Sequence, residues 1–282
     1  MVLFTLFLVL LSAFLHAFWN ALLKKAVNLE AAAIGILVVS LVSTGAAALF
    51  QRGPSFPDAQ ALLWGLGGGV FEGLYFLTLA QALRRAPLGW SYTWMRGGSL
   101  LLVWPVSLLC LGEGASALAL ACVLAVCGGL ALMGVAAGGS GPGRHGLRWA
   151  GAVAVAIAGY TLCYKASLAH GARPIPLYAT SMAVSLPFLV TAKLIHRGFT
   201  REAFLPSQWG LVLAAGLLCT GSFLLYLEAL ALGGAGVMAT LRNTSVVFAV
   251  LFSWALGERP TPRQWAGACL VSLGAAGLAL RP

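Results

Sequence analysis

Charge is the scarcest property of this sequence. Asp, Glu, Lys and Arg together make up 9% of the 282 residues, and Asp occurs only as Asp58. A soluble domain carries roughly 25% charged residues, so the composition excludes an ordinary soluble protein. Hydrophobic residues account for 60% of the chain, which also excludes a disordered one. The composition therefore predicts an all-α integral membrane protein.

Motifs for catalysis and cofactor binding are also lacking. No Gly-rich loop leads into Lys-Ser or Lys-Thr, so we expect no nucleotide-driven transport by this chain. The four histidines lack zinc-ligand spacing. The six cysteines lie in apolar stretches, where free thiols pack as small hydrophobic groups. We therefore predict that the protein is not an enzyme and has no catalytic residue, metal or cofactor.

Long hydrophobic runs are what the sequence has in abundance. A transmembrane helix needs about 20 apolar residues, and hydropathy divides the chain into ten spans. The net charge of +10 is carried by basic residues scattered at the span ends, where they report membrane topology rather than a nucleic-acid partner. The predicted partners are a small-molecule substrate and the lipid bilayer. The predicted spans are 2–23, 31–50, 60–83, 88–111, 115–137, 149–169, 175–195, 208–231, 234–256 and 263–280.

The two halves of the chain resemble each other. Arg96 and Ser99 in span 4 are matched 146 residues further on by Arg242 and Ser245 in span 9. Both spans close on a Gly-Glu pair, and a Gly-rich segment divides the halves. We predict a first five-helix repeat at 1–137, a linker at 138–148 and a second repeat at 149–282. Because five is odd, the second repeat must cross the membrane in the opposite direction, an architecture common among secondary transporters.

These features resemble the EamA type of the drug/metabolite transporter superfamily. The resemblance rests on the ten spans in two halves, the two Gly-Glu pairs, and the segment His16-Ala17-Phe18-Trp19-Asn20 followed by Lys24. It implies a secondary transporter of amino acids, drugs, sugars or other metabolites, and it favours export. We expect a multi-pass protein of the bacterial cytoplasmic (inner) membrane that is a monomer or a weak homodimer.

Glu72 is the first candidate for a functional residue, because ionisable groups inside a span are costly. It shares a helix face with Tyr75, Gly68 and Gly69. The family resemblance implies that such mid-span-3 positions line a central cavity. Glu72 could carry a proton or meet a substrate ammonium group. The alternative is an internal ion pair that only fixes the register of the helices.

Arg96 and Arg242 are the second candidates, at matching places in the two repeats. Each lies about 13 Å along its span at 1.5 Å per residue, too deep for easy snorkelling. Two guanidinium groups could hold a carboxylate or phosphate from both sides. The alternative is an internal Arg–Glu72 pair. Trp94 and its aromatic neighbours suit an organic substrate, or anchor the helix at the headgroup level.

Further candidates come from the aromatic-polar signatures of spans 1 and 6. Trp19-Asn20 corresponds to Tyr160-Thr161, and these polar side chains could line the pathway or bond across helices. Lys165 lies deeper than Lys24 and is the better cavity candidate. His16 is expected to be a structural histidine. Gly-Glu pairs such as Gly112-Glu113 could act as gates, but we favour capped helix ends.

Two arguments about orientation disagree. Loops after odd-numbered spans hold 11 Lys and Arg residues, against 3 for loops after even-numbered spans and the C-terminus. The positive-inside rule therefore puts both termini outside, whereas the family resemblance puts both inside.

The leading hypothesis is a transporter, in the exporting direction, of a small polar metabolite such as an amino acid or a related carboxylated or phosphonated compound. Efflux of cationic or quaternary-ammonium compounds is one alternative, with Glu72 and aromatic rings as the cation site. A membrane-embedded enzyme or a lipid-handling subunit is the alternative from another class.

Overall fold

The computed structural model describes residues 2–23, 25–85, 88–114, 116–136, 144–197, 208–255, 257 and 259–280. All regular structure in these ranges is helical. The helices are α1 (Val2–Leu23), α2 (Leu29–Leu49), α3 (Ala59–Arg85), α4 (Leu88–Cys110), α5 (Ala117–Ala136), α6 (Arg144–Ala169), α7 (Pro174–Arg197), α8 (Trp209–Leu232), α9 (Ala235–Arg242), α10 (Ser245–Ala255) and α11 (Pro262–Ala279).

The length and hydropathy of these helices confirm the predicted class, an all-α membrane protein. Among the described residues, eight helical segments are long and apolar enough to cross a membrane, and Trp94–Cys110 in α4 is a shorter apolar segment. Large apolar side chains such as Leu3, Leu109 and Leu273 are exposed on the outer surface. In a bilayer these side chains contact lipid, which is as apolar as they are.

The ninth span differs from the prediction of one continuous helix. It is divided into α9 and α10 by a turn at Asn243 and Thr244. The Asn243 Nδ2 donates to the carbonyl of Ala239 (2.9 Å), and the Thr244 hydroxyl donates to the carbonyl of Leu241 (2.7 Å). These short polar side chains compete with the backbone for helical carbonyls. The break therefore arises where two such residues follow Arg242.

The helix pairs have counterparts under exchange of the two halves. The helix α3 packs on α6 and α7, while α8, its equivalent in the second half, packs on α1 and α2. This pattern is what a duplication predicts. The repeat boundaries at 1–137 and 149–282 stay a prediction, and the linker is only partly described: residues 138–143 lie outside the described ranges, whereas 144–148 begin α6.

The helix ends group on two opposite sides of the bundle. On one side, the loop between α2 and α3 meets the loop between α6 and α7, with Arg173 N donating to Ser55 O (3.2 Å). There Ala61 N donates to Asp58 (2.6 Å) and holds the pKa of that carboxyl below its ordinary value. On the other side, Val27 N donates to Gln208 Oε1 (3.2 Å). This grouping fits a chain that crosses the membrane back and forth.

Helices α5 and α11 pack on each other through small residues. A Cβ added at Gly129 would lie 2.6 Å from the carbonyl oxygen of Gly267, and one at Gly274 would lie 2.6 Å from that of Cys122. Backbones come this close only where side chains are small. The close packing of α5 and α11 therefore occurs within one chain, and it is made by glycines.

This contact gives a matched test in adjacent glycines. We expect Gly129→Ala to lower the thermal stability of the detergent-solubilised protein, because its Cβ meets backbone atoms that cannot yield, at a cost of about 1–3 kcal/mol. Gly128→Ala is the control, since its Cβ meets only the Leu270 side chain at 3.5 Å. Helix propensity favours Ala over Gly at both positions. Equal melting temperatures for the two variants would contradict the close packing.

Candidate functional site

A small cavity lies between α4, α6, α8 and the broken ninth span. Both arginines from the matching positions of the two halves line it, Arg96 from α4 and Arg242 from the end of α9. Both are buried. In this conformation the cavity has room for about one water molecule. The other lining residues are Ser99, Val103, Ile157, Tyr160, Thr161, Tyr226, Ala239 and Asn243.

His16 joins the two arginines. Its Nε2 lies 2.6 Å from Arg96 Nη2, and its Nδ1 lies 3.4 Å from Arg242 Nη2. A neutral imidazole has one acceptor nitrogen and one donor, whereas a guanidinium only donates. His16 can therefore accept a hydrogen bond from one arginine at a time. The sequence predicted a structural histidine, and the structure places it at the centre of the arginine pair.

Arg242 is the less satisfied of the two arginines. The faces of Phe223 and Tyr226 lie 4.3 Å and 4.0 Å from its guanidinium carbon, which are cation–π contacts. Its Nε and Nη1 have no hydrogen-bond partner among the described residues. Buried N–H groups without acceptors are costly, and those of a charged group most of all. The cavity wall thus carries unused donors and positive charge.

Glu72 lies apart from the arginines, in a cluster formed by α3, α6 and α7. It is fully buried, and its Oε2 accepts hydrogen bonds from the Tyr164 hydroxyl and from Ser181 Oγ (2.8 Å). Its Oε1 has no partner in the described part of the chain. Gly68 and Gly69 allow this burial, because a Cβ there would strike Tyr164, or Val184 and the Ser181 backbone.

The Arg–Glu72 ion pair of the alternative hypothesis is not formed in the described structure. Neither arginine lies within 4.0 Å of the Glu72 carboxylate in the described structure. The acidic and basic candidates occupy two separate places, joined by aromatic rings. Tyr160 lines the arginine cavity and lies 5.7 Å from the ring of Tyr164, which bonds Glu72.

The aromatic and amide candidates fall in different places. Tyr75 is half-buried, with its ring 6.0 Å from that of Tyr160 at the cavity. Trp19 is buried 5.3 Å from the His16 ring, and Asn20 Nδ2 donates to the His16 carbonyl (2.7 Å). Trp94 is 48% exposed on the outer surface. The structure thus brings Trp19 and Asn20 beside His16 and leaves Trp94 away from the cavity.

Lys165 contacts helix ends rather than the cavity. Its Nζ donates to the carbonyls of Leu230 (2.9 Å) and Gly233 (2.7 Å), at the C-terminus of α8. Beside it, the Glu113 carboxylate accepts from the backbone N–H groups of Ala235 and Gly236 and caps α9. Each charge matches the helix dipole it faces. The matching Glu258 lies outside the described residues.

Two hydrogen-bonding residues of the cavity, Tyr226 and Asn243, were not identified from the sequence. Tyr226 lies in the apolar run 223–227, which holds no other polar side chain. Asn243 had a usable signal, because an amide directly after an arginine inside a span is itself costly to bury. Its match in the first repeat is Gly97, so Asn243 has no polar counterpart that a comparison of the two halves would reveal.

Comparisons with known proteins agree with this architecture. Residues 144–280 match the EamA-like transporter family. One similar crystal structure, described only as that of a protein, shares 19% sequence identity, with a TM-score of 0.76 over 97% of this chain and 94% of its own. At that identity the likeness establishes the fold alone. No curated protein matches the sequence.

Proposed function

The EamA-like match over residues 144–280 identifies this chain as a member of the drug/metabolite transporter superfamily, and on that premise we propose that it carries a small organic metabolite with a carboxylate or phosphonate group. The membrane transporter class follows from the family and the apolar helices. The substrate class and the exporting direction are the proposal.

The observation that carries this proposal is the pair of buried guanidinium groups at one cavity. Arg96 and Arg242 line it together, and no Asp or Glu is among the residues that line it in the described structure. Positive charge without a facing carboxylate favours an anionic ligand group. Arg242 also keeps donors free for it. The cationic alternative would need a carboxylate here instead.

Transport requires the cavity to open, because in this conformation it has room for only about one water molecule. We propose that two four-helix groups, spans 1–4 and 6–9, rock about it, with α5 and α11 at the periphery. The break at Asn243 supports this motion, since discontinuous helices line substrate sites in many transporters. Glu72, buried on the Tyr164 and Ser181 hydroxyls, is the proposed proton carrier.

Transport into proteoliposomes that contain only this protein tests the proposal. We expect labelled amino acids, carboxylates or phosphonates to enter faster than into empty vesicles and to be recovered unchanged. A panel of quaternary-ammonium compounds provides the contrast. Transport of cations alone would overturn the proposal, and chemically altered products would point to an enzyme.

One observation favours the cationic alternative. The Oε1 of Glu72 is buried without a partner among the described residues, and the Tyr164 that bonds Oε2 packs in a row of rings with Tyr160 and Tyr75. A carboxylate beside aromatic faces suits a quaternary ammonium ion. Glu72 is, however, absent from the residues that line the arginine cavity. The proposal of a substrate with an anionic group therefore has the stronger support.

A further inference from the structure

The short helix α9 is docked on α4 near both of its ends. Glu113 follows α4, and its carboxylate accepts hydrogen bonds from the backbone N–H groups of Ala235 and Gly236, at the start of α9. Towards the other end of α9, Trp104 Nε1 in α4 donates to Thr240 Oγ1 (3.0 Å). A carboxylate at a helix N-terminus is favoured by the helix dipole. The group of spans 1–4 therefore contacts the group of spans 6–9 along α9.

Glycines allow α9 to lie this close to α4. A Cβ added at Gly236 would lie 3.0 Å from the ring of Trp104 and 3.2 Å from Ser107 Oγ. A Cβ added at Gly234 would lie 2.7 Å from Glu113 Oε2. Larger side chains at these two positions would push apart the groups that hold α9, because helices approach so closely only through small residues.

The same helix connects this contact to the cavity. It has eight residues, so it is about 12 Å long at 1.5 Å per residue. Glu113 holds its first turn, and Arg242, its last residue, lines the cavity. Gly233 and Gly234 precede it, and the turn at Asn243 follows it. Because the helix is interrupted on both sides, it can move as a unit, and a shift of its start displaces Arg242.

Lys165 holds the helix on the other side of the same joint. Its Nζ, from α6, donates to the carbonyls of Leu230 and Gly233 at the end of α8. Glu113 thus fixes the start of α9, while Lys165 fixes the end of α8. When the Glu113 carboxylate releases α9, the end of α8 is still held, so we expect α9 to be the part that moves.

We propose that Glu113 is the gate contact at the membrane face where α4 and α8 end, and that it is a positioning residue for Arg242. While its carboxylate binds the start of α9, this face is closed and Arg242 lies in the cavity. Release of the carboxylate frees α9 from α4, opens the cavity to this face and withdraws Arg242. The inference rests on the rocking motion proposed above and is independent of the substrate and the direction of transport.

Thiol labelling measures the release of α9. The reporter is Ser107→Cys, because Ser107 is buried beneath Gly236, in a chain whose exposed Cys110 and Cys269 are replaced by Ser. The rate for the same chain without the reporter is subtracted. A membrane-impermeant maleimide reaches the reporter only when α9 leaves α4, so the rate follows the open population. We expect Glu113→Gln to raise this rate about 10- to 100-fold, the range for losing a hydrogen bond to a charged group.

A second variant keeps the charge and removes the contact. Gly234→Ala places a Cβ 2.7 Å from the Glu113 carboxylate, so it should also speed labelling, and it decides the test if Glu113→Gln does not fold. Two controls should leave the rate unchanged. Glu228→Gln removes an exposed carboxyl from α8, and Gly210→Ala adds a Cβ in open space. Unchanged labelling in the folded variants of Glu113 and Gly234 overturns the inference.

Hydrogen exchange at the opposite face separates a gate from a simple helix cap. Rocking closes one face as it opens the other, so both variants should slow amide exchange in peptides that cover 25–31 and 208–212. These segments meet there through Val27 N and Gln208 Oε1. A carboxylate that only caps α9 would leave this exchange unchanged, and that result overturns the inference even if labelling is faster. Neither measurement uses a substrate, so its failure leaves the proposed substrate class standing.

Discussion

Replacing Arg242 by Gln should weaken binding of the carboxylated or phosphonated substrate by roughly 2–5 kcal/mol, the loss expected when one partner of a buried charge pair is removed. Arg96→Gln should weaken it by a smaller amount within this range. The difference follows from the structure, because Arg96 already donates to His16 at 2.6 Å, whereas Arg242 keeps unpartnered N–H groups. Equilibrium binding to purified, folded variants measures both effects.

Charge alone should not restore the site. Arg242→Lys should rescue binding poorly, because an ammonium group lacks the planar fork of a guanidinium. Arg52→Gln is the matched control, since it removes the same charge from an exposed loop position. If both cavity Gln variants bind the substrate as tightly as the unmodified protein, the arginines are structural. The cationic alternative would then be favoured.

Glu72→Gln should change the pH dependence of transport while the protein still folds. A buried carboxyl can exchange a proton during transport, and the isosteric amide cannot. The amide oxygen can still accept the bonds that Tyr164 and Ser181 now give to Oε2, so the packing of α3, α6 and α7 should survive. Initial rates in proteoliposomes across a pH series provide the measurement.

A second carboxyl, in the equivalent helix of the other half, serves as the control. Glu228 lies in α8 but is exposed, with no hydrogen bond or ion pair in the described structure. Glu228→Gln should therefore leave the pH profile as it is. A profile for Glu72→Gln that matches the unmodified protein would rule out Glu72 as the proton carrier, and the carboxyl would then only hold the three helices in register.

The sequence alone determined the class of the protein and the positions of its apolar helices. Each apolar run of about 20 residues must satisfy its backbone internally once it is in lipid, and a helix does this. The predicted spans therefore agree with the helices to within a few residues at most ends. The repeated Arg-x-x-Ser and Gly-Glu patterns also pair Arg96 with Arg242.

The tertiary structure decided which polar groups meet. Helix periodicity puts Glu72 on a face with Tyr75, but it does not say which neighbour presents Tyr164 and Ser181 to that face. The sequence predicts a structural role for His16, and the structure places it between the two arginines. The sequence predicts Lys165 in the cavity, whereas the structure places its ammonium group on the C-terminal carbonyls of α8. These outcomes depend on helix packing between distant parts of the chain.

The break at Asn243 is also a feature that the local sequence does not determine. An asparagine or threonine inside a span can point into a helix contact or turn back to its own carbonyls, and both choices satisfy the side chain. Only the packing of α9 and α10 against α4, α6 and α1 settles the choice. The sequence therefore determined where the chain crosses the membrane, because lipid acts on each span separately. The tertiary structure determined which residues form the site, because the role of a buried charge depends on the groups that the packed helices place around it.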